Sequence, residues 1–181
     1  MNVKSRAEAV GALRHVSVRM MEILAGWVPT TPEMEVKTLF GRHLWLCAQF
    51  ADRLGHRARE LRSPLHYTRP PSPAFAEGLE ALGSIRATAA RIHAFHGEAL
   101  PALRRACADY LDRTDALVDE PTVVIIQGAV RDIERMRADG ERLLEELPVP
   151  ASGDTQESEA AGRAFRAAHA IVDLPSSVEA A

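Results

Sequence analysis

His43 and Cys47 are the residues whose types and spacing suggest chemistry most directly. They are four positions apart, so in a helix both side chains lie on one face. An imidazole there can act as a general base, hydrogen-bond to a ligand, or activate the neighbouring thiol. The structural alternatives are a histidine bonded to a neighbouring helix and a cysteine that packs as a small apolar side chain. We predict that His43 lies on the inner stripe of its helix, inside the protein, and that among the polar residues it is the one that contacts a ligand.

A second group consists of His93, His96 and Glu98. Histidines three residues apart on a helix can face one metal ion, but a protein site needs further ligands. The predicted inner face contains His96, whereas His93 lies towards its edge. We therefore predict that His96 joins His43 as a catalytic residue, and we predict no metal site.

The composition excludes several classes of protein. The chain has 181 residues, a formal net charge of −3, 46% hydrophobic residues and only two cysteines. A weakly acidic chain is a poor binder of nucleic acid, and two cysteines do not make a disulfide scaffold. We expect no signal peptide and no membrane span, which favours a cytoplasmic protein. Glycine-rich nucleotide motifs are absent, so no cofactor is expected.

Apolar residues at helical spacing predict two long helices in the first third of the chain. The first runs from about Ser5 to Trp27. The residues Thr30–Glu33 have the hydroxyl, proline and carboxylate signals of a helix start, and the second helix runs from there to about Arg62. Its apolar stripe passes Gly41 and Gly55 without a change of phase, which predicts one continuous helix.

The third and fourth helices follow a proline-rich connection. The third helix is predicted to begin near Pro73 and to run without a break until Gly97 and Pro101, which should break or kink it. Its continuation ends near Leu117. The fourth begins at 119–121, where two carboxylates precede a proline.

The predicted domain organisation is a helical bundle over residues 1–147, followed by a less regular segment over 148–181. Residues 148–157 are polar and rich in turn formers, which predicts a linker. A short helix over about 158–172 and a frayed end follow. The fold class is therefore all-α, with four main helices in a bundle.

The inner faces of these helices are apolar apart from a few positions. An apolar bundle interior with few polar groups is typical of a small-molecule site. The residues predicted to line such a pocket are Met20, Phe40, Cys47, Phe50, Val130, Ile133 and Arg137.

Three stretches resemble bacterial members of the ferritin-like superfamily. They are AGWVPTTPEMEVKTLFGRHLW at 25–45, AQFADRLGHRARELR at 48–62 and TDALVDEPTVVII at 114–126. The resemblance covers roughly residues 10 to 145. It implies an antiparallel four-helix bundle, in which two metal ions are held by carboxylates and by E-x-x-H pairs on two helices.

The resemblance places the two E-x-x-H pairs at residues that cannot serve as ordinary ligands. One pair falls on Cys47 and Phe50, and the other on Ile133 and Met136. The inner face of the first helix offers Met20 there and no carboxylate. We therefore expect a metal-free interior and none of the family's oxidase, oxygenase or iron-storage chemistry.

Three functions are compatible with this pattern. The first is an apolar pocket for a small organic molecule, either as a binder or as a metal-independent cyclase, isomerase or lyase. The second is an interaction or assembly protein with a solid core. The third is a di-metal oxidase with unusual ligands. The residues available as such ligands are Glu22, Glu33, Glu35, His43, His93, His96, Glu98, Asp132 and Glu134.

The outer face of the second helix carries Trp45, Asp52 and His56. Asp52 and His56 are four residues apart, which predicts a surface pair. An outward tryptophan usually lies under another surface, either the C-terminal segment or a second subunit. We predict a homodimer that forms through this face.

Overall fold

The computed structural model describes residues 1–63, 69–146, 154–168 and 170–171, with the backbone alone given for 154–157. Over these ranges the chain is helical and contains no β-strand. The predicted all-α class is confirmed. Among the described helices, none is both long and apolar enough to cross a membrane.

The first two helices have almost the predicted bounds. Helix α1 spans Val3–Trp27, a short 3₁₀ turn covers Val28–Thr30, and α2 spans Met34–Glu60. Helix α2 is continuous through Gly41 and Gly55, as predicted. Burial of one apolar face outweighs the cost of two interior glycines, which is roughly 1 kcal/mol each relative to alanine.

Helices α1 and α2 form the most extensive helix–helix contact in the described chain and run antiparallel. The rings of Trp27 and Phe40 have centroids 5.3 Å apart near the connection. At the other end, the Arg14 side chain lies against Gly55. The predicted inner stripe of α1 is buried throughout: Ala9, Leu13, Val16, Met20, Ile23, Leu24 and Trp27.

The third predicted helix is divided. Helix α3 spans Pro73–Ser84 and α4 spans Thr88–Ala94, with extended backbone at Ile85. A single turn of π-helix over Phe95–Ala99 then leads into α5, Leu100–Arg113. The break predicted near Gly97 and Pro101 is confirmed and takes the form of the π turn. The prediction of one unbroken helix from Pro73 to this point is wrong, because the chain leaves the helix between Ser84 and Thr88.

Arg91 accounts for the break between α3 and α4. Its Nε donates a hydrogen bond of 2.9 Å to the carbonyl oxygen of Ile85, which would otherwise accept an intrahelical bond. The hydroxyl of Ser84 donates to the carbonyl of Ala81 at 2.7 Å, in competition with the helix ladder. Sequence periodicity does not report such side-chain capture of backbone groups.

Helix α6 spans Glu120–Glu146. It runs antiparallel to α2, since Arg57 contacts Thr122 at one end and His43 faces Asp139 at the other. Its buried stripe passes through Ala129, so the predicted Val130 is only half-buried.

The last described helix, α7, spans Asp154–Ala167 and begins earlier than predicted. It packs on α3 and α4, where the rings of Phe165 and Phe75 are 5.4 Å apart. Gly78 permits this approach, since a Cβ there would lie 2.8 Å from the Phe165 ring. Most of the predicted linker and the predicted frayed end lie outside the described residues.

Arg62 provides a test of local stability. It has φ = 59°, in the left-handed region, at the end of α2. A side chain there costs roughly 1 kcal/mol that glycine avoids. Arg62→Gly should therefore raise the free energy of unfolding by about 1 kcal/mol, measured by urea titration. The matched control is Arg53→Gly, which lies within α2 and should lower the free energy by about 1 kcal/mol. A loss of stability in Arg62→Gly would contradict this account.

Candidate functional site

Most residues predicted to line an interior pocket are instead packed in the hydrophobic core. Those that are buried there are Met20, Phe40, Cys47, Phe50 and Ile133. Val130 is half-buried at the margin of the core. Arg137 has 32% of its side chain exposed and lies 3.6 Å from the carboxylates of Glu134 and Glu141. Its charge is therefore balanced at the surface and not inside the bundle.

The position of the di-metal centre implied by the resemblance does not suit metal ions. Met20, Phe50, Ile133 and Met136 supply no oxygen or imidazole donor there. Burial raises the pKa of the Cys47 thiol to about 12, which disfavours the thiolate that a metal or a nucleophilic reaction requires. Within the described ranges, no three His, Cys, Asp or Glu side chains are grouped closely enough to hold a metal ion.

His43 and His96, the two predicted catalytic residues, meet inside the molecule. The side chain of His43 is 1% exposed, as predicted from its place on the inner stripe. Its Nδ1 lies 3.0 Å from Nε2 of His96. Nδ1 of His96 lies 2.8 Å from the carbonyl oxygen of Ile92. The π turn thus connects to α2 through two adjacent imidazoles.

Gly140 makes this arrangement possible. A Cβ at Gly140 would lie 2.2 Å from Cγ of His96, much closer than any real contact. The imidazole of His96 therefore occupies a notch on α6 that only glycine leaves open. The π turn, with its extra residue, presents His96 to this notch.

Gly140→Ala should lower the free energy of unfolding by about 1–3 kcal/mol, because the added methyl group overpacks the His96 ring. Gly41→Ala is the matched control, since a Cβ at Gly41 meets nothing within 4 Å. That control should raise the free energy by about 1 kcal/mol through helix propensity alone. If urea unfolding shows that both variants raise the free energy of unfolding equally, the notch at Gly140 is not required for the packing of His96.

Asp139 is the member of this cluster that sequence reasoning missed. Its Oδ2 lies 3.6 Å from Nε2 of His43, and 22% of its side chain is exposed. Asp139 precedes Gly140 of the inner stripe by one residue, so a helix wheel places it only at the edge. The antiparallel pairing of α2 with α6 is the signal that would have placed it beside His43.

Burial keeps both imidazoles uncharged at neutral pH. Desolvation lowers the pKa of His43 to about 4; Arg42 acts in the same direction, while Asp139 opposes it. Desolvation also lowers the pKa of His96 to about 3, together with the proximity of His43. The cluster is thus two neutral rings, one of which faces a carboxylate.

Asp139 also lines an open groove of about 500 Å³ between the start of α2 and the end of α6. We call it the Asp139 groove. Its lining combines apolar and charged side chains: Met34, Glu35, Thr38, Leu39, Arg42, Asp139, Arg142, Leu143 and Glu146. Nη1 of Arg142 lies 3.8 Å from Oδ1 of Asp139. The groove therefore offers both cations and carboxylates beside an apolar floor.

A second groove of about 550 Å³ lies between α1 and the α3–α4 region. Trp27 and Leu79 give it an apolar wall, and Arg19 and Arg91 lie along it. The guanidinium of Arg91 stacks 5.4 Å from the centroid of the Trp27 ring. We call it the Trp27 groove.

The remaining predicted residues lie apart from this cluster. His93 is exposed, while His96 is buried, so the two rings do not converge. Asp52 and His56 form the predicted surface pair, with Oδ2 and Nε2 3.7 Å apart. Trp45 is 61% exposed and is not covered by α7.

A separate buried network surrounds Asp119, which the sequence indicated only as part of a helix start. Its carboxylate is fully buried, with Nε of Arg6 3.9 Å away. It accepts hydrogen bonds of 2.6–2.9 Å from four side chains: Arg57, Tyr110, Thr114 and Thr122. Burial alone would raise the pKa of Asp119, but these donors outweigh it and lower the pKa. The network ties α2, α5 and α6 together.

Comparison with known proteins gives no further assignment: no family model, no curated protein and no solved structure matches this chain.

Proposed function

We propose that this protein binds a small organic molecule in the Asp139 groove and that Asp139, supported by His43, exchanges a proton with it without a metal ion. The observation that carries this proposal is the position of Asp139. It lines the groove and also lies 3.6 Å from the buried imidazole of His43. A partly exposed carboxylate with a buried neutral imidazole behind it is suited to acid–base chemistry.

The groove suggests the character of the ligand. Leu39 and Leu143 provide an apolar surface, and Arg42 and Arg142 provide cations. A small, partly apolar molecule with a polar or anionic group matches this lining. The proposal therefore places the predicted ligand at one end of the helices and not among the packed core residues. Proton transfer without a cofactor is the chemistry of many isomerases, lyases and cyclases.

Equilibrium binding of four probes of similar size tests the proposal: benzoate, benzamide, benzyl alcohol and benzylamine. Asp139→Asn should weaken benzyl alcohol, benzamide or benzylamine, which can donate a hydrogen bond to the carboxylate, at least tenfold, equivalent to about 1.4 kcal/mol. Asp132→Asn, two turns earlier on α6, is the matched control and should leave affinity unchanged. Binding that is equal in both variants would contradict the proposal.

The family assignment belongs to the same proposal. We infer a ferritin-like antiparallel four-helix bundle that has lost its di-metal centre. It is supported by the antiparallel pairs α1–α2 and α2–α6 and by the packing of α5 against α6. A cytoplasmic location is proposed with it, consistent with the free, buried cysteines Cys47 and Cys107. An experimental structure with a different helix order in the bundle would overturn the assignment.

A second candidate function is assembly through the outer face of α2. Its support is Trp45, a large aromatic side chain that is 61% exposed on a long helix. We propose that this face forms the predicted homodimer, as aromatic residues are enriched at interfaces.

The dimer is tested by sedimentation velocity. Trp45→Arg should convert a dimer to a monomer, because it replaces an apolar anchor by a charge at a self-complementary contact. His56→Arg, also exposed on α2, should leave the mass unchanged. A monomeric native protein would exclude this function.

A further inference from the structure

The hydrogen bonds around His96 have a fixed direction. The carbonyl oxygen of Ile92 can only accept, so Nδ1 of His96 must carry the proton in their 2.8 Å hydrogen bond. In a neutral imidazole the other nitrogen then has no hydrogen. Nε2 of His96 is therefore an acceptor.

The acceptor role of Nε2 in His96 fixes the donor in the hydrogen bond between the two histidines. Its Nδ1 lies 3.0 Å from Nε2 of His96, so Nδ1 of His43 must be the donor. Nε2 of His43 is left without a hydrogen. The reverse assignment would require His96 to be a buried imidazolium, and burial disfavours that charge.

Nε2 of His43 consequently faces another acceptor. This nitrogen is buried and has no hydrogen-bond partner among the residues that the structure describes, and the Asp139 carboxylate on α6 lies 3.6 Å from it. Both groups then present lone pairs to each other, so neither can satisfy the other's hydrogen-bonding capacity. A single proton between them would convert the contact into a donor–acceptor pair.

We propose that His96 is a positioning residue that keeps Nε2 of His43 unprotonated, so that Nε2 and Asp139 form a two-acceptor site for one proton. The inference rests on the proposed function, and it names the substrate class as a small molecule with an acidic C–H, N–H or O–H group.

The bond from the substrate's donor atom to hydrogen breaks and leaves its electron pair on the substrate. The proton forms an O–H bond on the partly exposed carboxylate of Asp139, which can share it with Nε2 of His43. The resulting substrate anion lies in the groove that Arg42 and Arg142 line, so their positive charges stabilise it.

Nitrogen-15 NMR of the histidine rings tests the inference on the free protein. Multiple-bond correlations distinguish a protonated from an unprotonated ring nitrogen. In the native protein we expect His43 to have its hydrogen on Nδ1, with a measurable coupling through the hydrogen bond to Nε2 of His96. In His96→Phe, which removes the acceptor, we expect the hydrogen of His43 to move to Nε2, towards Asp139.

Asp139→Asn is the matched variant, since its amide can donate to Nε2 and should leave the hydrogen of His43 on Nδ1. A native His43 with its hydrogen on Nε2 would overturn the inference, as would an unchanged tautomer in a folded His96→Phe variant. If that variant does not fold, the tautomer of His43 in the native protein and its coupling to Nε2 of His96 still test the inference. These results do not depend on any ligand, so a failure of the probes to bind would count against the proposed function alone.

Discussion

Asp119→Ala should lower the free energy of unfolding by about 3–5 kcal/mol, a large share of the stability of an ordinary domain. The reason is the loss of a fully buried carboxylate that lies 2.9 Å from Nη2 of Arg57 and 2.6 Å from the hydroxyl of Tyr110. Without it, Arg57 retains Glu60 and Thr122 as acceptors, but the hydroxyl donors of Tyr110, Thr114 and Thr122 lose the acceptor they share. Urea unfolding at neutral pH measures the effect.

Asp112→Ala is the control for this variant. Asp112 is exposed on α5, so its removal should change the free energy by no more than about 0.5 kcal/mol. Similar small losses in both variants would show that the Asp119 network is not a main source of stability. Asp119→Asn keeps the size of the side chain but removes its charge and one acceptor oxygen, so its loss of unfolding free energy measures the contribution of the charge and hydrogen bonds apart from that of packing.

Acidification should destabilise the protein through His43. Its pKa in the folded state is lowered to about 4, chiefly by burial, so below the ordinary value of 6.5 the unfolded chain binds a proton that the folded chain does not. Stability therefore rises with pH across this window and is lost as the pH falls from 6.5 towards 4. A shift of this size corresponds to about 3 kcal/mol for one group.

The measurement is urea unfolding at several pH values for the native protein and for His43→Leu. The groups that face His43 are Arg42 on α2, His96 on the π turn and Asp139 on α6. Removal of His43 should reduce the pH dependence of stability between pH 6.5 and 4 without abolishing it, because the lowered pKa of the buried His96 acts in the same direction. His56→Leu, a surface substitution, should leave the dependence unchanged. A native protein whose stability is constant over this range would contradict the assigned burial.

Helical periodicity was sufficient for the features that depend on one helix. It predicted the bounds of α1 and α2, the continuity of α2 past Gly41 and Gly55, and the burial of His43. These follow from the spacing of apolar residues, which a single chain displays directly. Arg137, which was predicted to line the interior, has 32% of its side chain exposed, whereas the adjacent Met136 is buried.

Features that depend on two helices could not be predicted in the same way. Asp139 is one position off the stripe, and only its place opposite His43 gives it significance. Gly140 is an ordinary interior glycine until the His96 ring is seen against it. The break at Ile85 depends on capture of its carbonyl by Arg91. Each depends on which residues meet across an interface, information that periodicity does not contain.

The central claim is that the Asp139 groove, and not the packed interior or the Trp27 groove, receives a small molecule. Backbone amide NMR shifts of the native protein, recorded while the four probes are added, test this claim most directly. The account predicts that the largest shifts occur at 34–42 and 139–146 and that the side-chain nitrogens of His43 respond with them. Shifts concentrated at 19–30 and 79–91, along the Trp27 groove, or no saturable shift with any probe, would contradict it.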